Sequence, residues 1–100
     1  MYLDQAMQLA LSRQYRQLPA IGERLQSRIW QAQGRFEEAQ PCFERSLAGL
    51  LAIDDVVEYA RSEESYGLFY IARDKDGDME RGQALLKSAQ ETYKRLGVNG

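Results

Sequence analysis

Three aspartates, Asp74, Asp76 and Asp78, stand at alternate positions in the run Asp74-Lys-Asp-Gly-Asp78, the spacing with which a carboxylate loop begins to surround calcium. Such a loop starting at Asp74 needs glycine at its sixth position and glutamate at its twelfth, where Met79 and Leu85 stand. The run therefore reads as a solubilising turn that caps the helix after it, and no metal is expected. Cys42 is the single thiol, and the chain holds no histidine to activate it. Beside Phe43 it is expected to be a buried, inert thiol. Glu63 and Glu64 are neighbours in a helical stretch and point in different directions, so they make no acid/base dyad. The sequence holds no glycine-rich phosphate loop, no Ser/His/Asp set and no metal-ligand cluster. It reads as non-catalytic, with no cofactor.

One hundred residues, 44% of them apolar and 28% charged, make one modest domain with ordinary globular composition. A net charge of -2 gives no basic field for nucleic acid. The charge is uneven: residues 1–35 carry five arginines against Asp4 and Glu23, a net +3, while the rest carries eight basic against thirteen acidic residues, a net -5. No segment approaches the roughly 20 apolar residues that span a bilayer. The N-terminus lacks the basic start and apolar run of a signal peptide. With one cysteine no internal disulfide is possible, and a soluble protein of the reducing cytoplasm is expected.

The elements that would position these side chains are helical throughout, and five are expected. Ala6, Met7, Ala10, Leu11, Tyr15 and Leu18 recur at three- and four-residue steps over residues 4–18, an apolar stripe closed by Pro19, which pushes its predecessor out of the helical region. A second helix, about 20–33, carries Ile21, Leu25, Ile29 and Ala32 on its apolar side, with Trp30 off that stripe, and stops at Gly34. A third spans Phe36–Ala52; Pro41 lies inside it and removes one hydrogen bond, predicting a slight bend rather than a break. Asp55 and Glu58 have capping-box spacing at the start of a fourth helix, which runs to Arg73 and is apolar nearly all round from Tyr66 to Ala72. A fifth runs from Met79 to Leu96, with Gly97 as its C-terminal cap.

Helices two and three repeat in helices four and five. At an offset of 40, Ala20 meets Ala60, Glu23 meets Glu63, Ser27 meets Gly67, Trp30 meets Tyr70 and Ala32 meets Ala72. After the turn the offset becomes 43: Gly34 meets Gly77, Gln40 meets Gln83, Phe43 meets Leu86 and Ser46 meets Ala89. Small residues recur where helices must touch and large ones where the groove must be filled, so the repeat has a packing reason.

On Ser27, Trp30, Gly34, Phe36, Ala39, Phe43 and Ser46, and again on Gly67, Tyr70, Gly77, Gly82, Leu86 and Ala89, the chain resembles the tetratricopeptide repeat family. It departs from that pattern in carrying Glu23 and Gln26 in the first helix, in lacking the closing proline, and in units nearer to the ~40-residue variety of bacterial regulatory and signalling proteins than to the usual length of about 34. The resemblance implies an all-α fold of antiparallel helical hairpins stacked as a short right-handed solenoid. Residues 4–18 would be a leading helix, 20–53 repeat unit one and 56–96 repeat unit two, in a single domain spanning 1–100.

The resemblance further implies that first helices line a concave groove for an extended peptide or a partner helix. Arg24, Arg28 and Gln31 of the first unit, and Arg61, Glu64 and Leu68 of the second, would face it. Three guanidinium forks suit a partner bearing carboxylates; the alternative is that they are solvated or pair internally, for instance with Glu23, Glu63 or Glu64. Arrays of this kind usually need three units and polar caps, so self-association through Tyr2, Leu3, Met7 and Leu11 at one end, or Leu85 and Tyr93 at the other, is a second expectation. The expected function is protein–protein interaction. The alternative is a structural or sensor segment of a larger signalling ATPase or transcription regulator.

Overall fold

The structure is a computed structural model that describes residues 2–98, with side chains described from Tyr15 to Val98. It is all-helical across them, with four helices: α1 Tyr2–Ala32, α2 Phe36–Ala52, α3 Val56–Arg73 and α4 Asp78–Leu96. Each helix packs on its neighbour in sequence, and α1 also lies against α3. Connections of three and four residues turn each helix back on the one before.

The number of helices departs from the expected five because α1 runs through Pro19 without a break. Proline at that point removes the bond to the Tyr15 carbonyl and costs about 3 kcal/mol in a helix interior. Neither Leu18 nor Ala20 is a residue that closes a helix, and the chain is held on both sides of the proline. Gln17 donates to the Asp55 carboxylate, and the Ala20 carbonyl accepts from Ser46 Oγ at 2.7 Å. Pro41 likewise sits inside an unbroken α2.

The helix ends are closed by left-handed residues, which free their carbonyls to be bonded from beyond. Gly34, Asp54 and Gly97 have φ of 75°, 54° and 69°, and after them Arg35, Asp55 and Val98 donate back to the carbonyls of Trp30, Leu50 and Tyr93. Asp54 thus ends α2 in a conformation that glycine adopts more easily. Asp55 caps α3 by accepting from the Glu58 amide at 3.2 Å. The reciprocal half of the capping box is absent, because the Glu58 carboxylate is turned to Arg24 and Arg61.

The core is aromatic and lies between the two hairpins. Phe43 stacks on Tyr66 at 5.1 Å and meets Phe69 at 5.4 Å, while Tyr66 stacks on Tyr70 at 4.7 Å. Phe43 and Phe69 are fully buried, each contributing about 1.5–3 kcal/mol. Trp30, Phe36, Leu47 and Leu85 pack around this cluster. Within the second hairpin Ala60, Ala89 and Tyr93 form a smaller cluster that Val98 covers. Small residues mark the close approaches: Ala20, Ser27, Ala39 and Ser46 are buried in the first hairpin, and Ala60, Gly67, Gly82 and Ala89 in the second.

The buried face of α1 is not the expected one. Ala20 and Ser27 point inward, with Trp30 half-buried beside them, whereas Leu25 and Ile29 are 50% and 51% exposed. Tyr15 and Leu18, read as part of an apolar stripe, are exposed as well, and the side chains of Ala6, Met7, Ala10 and Leu11 lie outside the described residues.

Candidate interaction surfaces

The six residues expected in one concave groove fall into three groups. Arg24 is half-buried between α1 and α3, its Nη2 3.1 Å from Glu58 Oε1 and its Nη1 donating to the Glu58 carbonyl and to Ser62 Oγ, both at 3.3 Å. Arg61 approaches the other oxygen of the same carboxylate at 3.3 Å. Glu58 thus holds two of the three arginines expected to meet a partner. Arg24 is a clamp between helices, since a buried guanidinium with three acceptors in reach has its donors occupied. The third arginine, Arg28, is exposed on α1, and Gln31 is half-buried one turn along. The internal pairing considered from sequence occurs with a carboxylate that was not among its candidates.

Glu64 and Leu68 line a groove of about 500 Å³ between α3 and the C-terminal half of α4, together with Leu86, Gln90, Tyr93, Lys94 and Val98. Its floor is apolar, and Glu64 and Lys94 give its rim one charge of each sign. Burial pushes the Tyr93 hydroxyl up to about 12, so this ring remains neutral in the floor. Leu85 and Tyr93, expected as an exposed end contact, are instead packed inward, Leu85 against the aromatic core and Tyr93 against Ala60 and Ala89. The opposite end expected for self-association, Tyr2, Leu3, Met7 and Leu11, lies outside the residues whose side chains are described.

A second uncovered surface runs along α1. Tyr15, Leu18, Leu25 and Ile29 are 69%, 57%, 50% and 51% exposed, and their steps of three, seven and four residues keep them on one side of the helix. Gly22 completes the stripe, with nothing within 4 Å of where its Cβ would lie. An apolar strip of this continuity is the kind of surface that marks an interaction site. The offset of 40 carried the signal for it: Ala20, Ser27 and Trp30 align with Ala60, Gly67 and Tyr70 of α3, and Leu25 and Ile29 lie off the face those three define.

A polar network that sequence reasoning did not find closes the other side of the molecule. Gln40 Nε2 donates to the hydroxyls of Tyr66 and Tyr70 at 3.1 and 3.2 Å, the two hydroxyls are 3.0 Å apart, and Tyr66 donates to Glu44 at 3.2 Å. Arg73 donates to Gln40 Oε1 at 3.1 Å and grips both oxygens of Asp78 at 2.8 and 2.9 Å. That bidentate hydrogen bond, foremost, holds the Asp78 carboxyl at about 2, well below its ordinary 3.8. Burial foremost, with Tyr70 alongside, pushes the Tyr66 hydroxyl up. Among the described residues no buried side-chain nitrogen or oxygen lacks a hydrogen-bond partner, and the network ties the hairpins together. Asp74, by contrast, is the left-handed end of α3, and Asp78 faces inward, so the three aspartates do not converge.

Cys42 is 4% exposed, and burial raises its pKa above the ordinary thiol value, which keeps it a thiol. Among the described residues no group of three or more His, Cys, Asp or Glu side chains is placed to hold a metal ion. No helix among them is long and apolar enough to cross a membrane. Compared with protein-family models, curated proteins and solved structures, the chain matches none.

Proposed function

We propose that this protein is a non-catalytic protein–protein interaction module, a short stack of tetratricopeptide-like helical hairpins working in a reducing cytoplasm. The observation that carries this reading is the groove between α3 and α4, with Leu68, Leu86, Tyr93 and Val98 as its walls and floor and charges only at its edge. Interface cores are apolar and aromatic with polar rims, and a groove between two helices accepts the apolar face of a third. The stripe on α1 gives a second apolar surface on the same small body. A preference for acidic partners rests on Arg28 alone, since Arg24 and Arg61 meet Glu58.

A photo-crosslinking side chain placed at Leu68 or at Leu25 tests the reading in cells that make the protein. Discrete crosslinked species from these two positions, and none from the exposed Glu91 on the outer side of α4, are expected; another copy of the chain counts as a partner. Equal crosslinking from all three positions, or none from any, rejects an interaction role for these surfaces.

A further inference from the structure

The molecule already contains one helix seated in a groove of this type. The helix is α3, and the groove is the one between α1 and α2. Tyr66 and Phe69 lie on Phe43, Leu47 packs against the same cluster, Glu58 takes Arg24, and Ser62 makes the close approach, its Oγ 2.8 Å from Ser46 Oγ. The seat is thus Arg24, Phe43 and Leu47, and the seated face is Glu58, Ser62, Tyr66 and Phe69.

Both surfaces recur, and both recurrences are uncovered. Moving the seat forward by the offsets of 40 and 43 gives Glu64, Leu86 and Gln90, three residues that line the open groove. Moving the seated face back by 40 gives Leu18, Gly22, Gln26 and Ile29. All four are exposed, and three of them form the apolar stripe of α1. Ile29 then stands for Phe69, which meets Phe43, and faces Leu86. Gly22 stands for Ser62, whose close approach is to Ser46, and so comes over Ala89, the residue that stands for Ser46. Leu18 replaces Glu58, and a half-exposed leucine, Leu68, occupies the place in this groove that Arg28 has in the first hairpin.

We propose that the partner is a second copy of this chain, with α1 of one molecule seated by its Leu18–Ile29 stripe in the α3–α4 groove of the next. This rests on the interaction-module reading and names its partner. Charge does not oppose this arrangement: residues 1–35, which carry the stripe, have five basic against two acidic residues, and residues 56–100, which form the groove, have seven basic against eight acidic residues. The stripe is apolar where an isolated surface helix is polar. The seat and the seated face belong to different parts of the molecule, so the contact is heterologous. It leaves one of each free after every addition, and copies add head to tail until a ring closes or a filament grows.

Sedimentation of the full chain from micromolar to millimolar concentration, with two surface variants, tests this. Leu25→Glu with Ile29→Glu charges the stripe; Leu68→Glu with Gln90→Glu charges the groove beside Glu64. All four positions are exposed, and circular dichroism confirms that each variant keeps its helices. The wild type is expected to grow beyond a dimer with concentration, and each variant alone to associate at least about tenfold more weakly. An equimolar mixture of the two is expected to form a dimer and stop, because one intact stripe meets one intact groove. A wild type that stays monomeric to millimolar overturns the proposal, and so does a mixture that stays monomeric. A groove variant that still dimerises like the wild type also overturns it, because the stripe then pairs with itself. A monomeric wild type that nonetheless crosslinks a foreign protein from Leu68 separates failure of self-association from failure of the interaction reading.

Discussion

Gly67 and Gly82 meet backbone to backbone across α3 and α4. A Cβ on Gly82 would lie 2.7 Å from the Gly67 carbonyl oxygen and 2.8 Å from Ile71 Cγ1, and a Cβ on Gly67 would lie 2.8 Å from the Gly82 carbonyl oxygen. Neither carbonyl can swing away without moving its helix, so this contact sets how closely the second hairpin closes and how wide the groove beside it stays.

Gly82→Ala is therefore expected to destabilise the protein by about 1–3 kcal/mol, because a methyl group forced between two backbones separates the helices. Gly22→Ala is expected to do the reverse. It lies inside α1 with nothing within 4 Å, so alanine gains about 0.5–1 kcal/mol from the lost freedom of the unfolded chain and a better helix propensity. Thermal unfolding of both variants checks the opposite signs.

Pro19→Ala is expected to raise stability by about 1–3 kcal/mol, since α1 is continuous through residue 19 and alanine restores the missing bond to the Tyr15 carbonyl. A helix broken at Pro19 would gain nothing, or would lose the rigidity of the turn. Thermal unfolding together with helical ellipticity decides between them.

Arg24→Ala and Arg61→Ala are expected to differ, although both guanidiniums meet Glu58. The Arg24 side chain is 12% exposed and that of Arg61 55%. Loss of Arg24 leaves Glu58 and the Ser62 hydroxyl short of a partner in a half-buried site, at about 1–3 kcal/mol. Loss of Arg61 breaks an exposed pair worth about 0.5 kcal/mol. Denaturant unfolding of the two variants measures the gap, and equal effects would contradict the clamp.

The Asp78 carboxyl sets an acid limit. Its folded value of about 2 lies below its ordinary 3.8, so the unfolded chain binds the proton first as pH falls. Its contribution is complete above about pH 4 and is lost as pH drops towards 2. Asp78→Asn removes the charge gripped by Arg73. This variant is expected to be less stable than wild type at pH 7, with the difference shrinking towards pH 2. Unfolding midpoints across that range test the slope.

Most helix positions were legible because they are set locally; the break expected at Pro19 was not, since α1 continues through it. The boundaries of α2 at Phe36 and Ala52, and the ends of α3 at Arg73 and α4 at Leu96, follow from turn residues and apolar spacing that any window of the chain contains. Gly34 and Gly97 mark their turns by a positive φ that glycine accepts without strain. The small residues Ser27, Ser46, Gly67 and Ala89, picked out by their offset, and Ala39 and Gly82, picked out by the resemblance, are all buried.

What the tertiary structure decided was which side of each helix faces inward, and with whom each charge pairs. On α1 an apolar face competes with one of small and polar residues. Periodicity favours Ile21, Leu25, Ile29 and Ala32, but the neighbours provided by α2 and α3 cover Ala20, Ser27 and Arg24 instead. The periodic signal is a property of one helix, whereas burial depends on what lies across from it. Arg24 became a clamp through Glu58, thirty-four positions along the chain, and Arg73 and Asp78 became a buried pair beneath a glutamine from another helix. Except at Pro19, local chemistry fixed where this chain is helical. Only the packing of its hairpins decided which leucines would be left exposed.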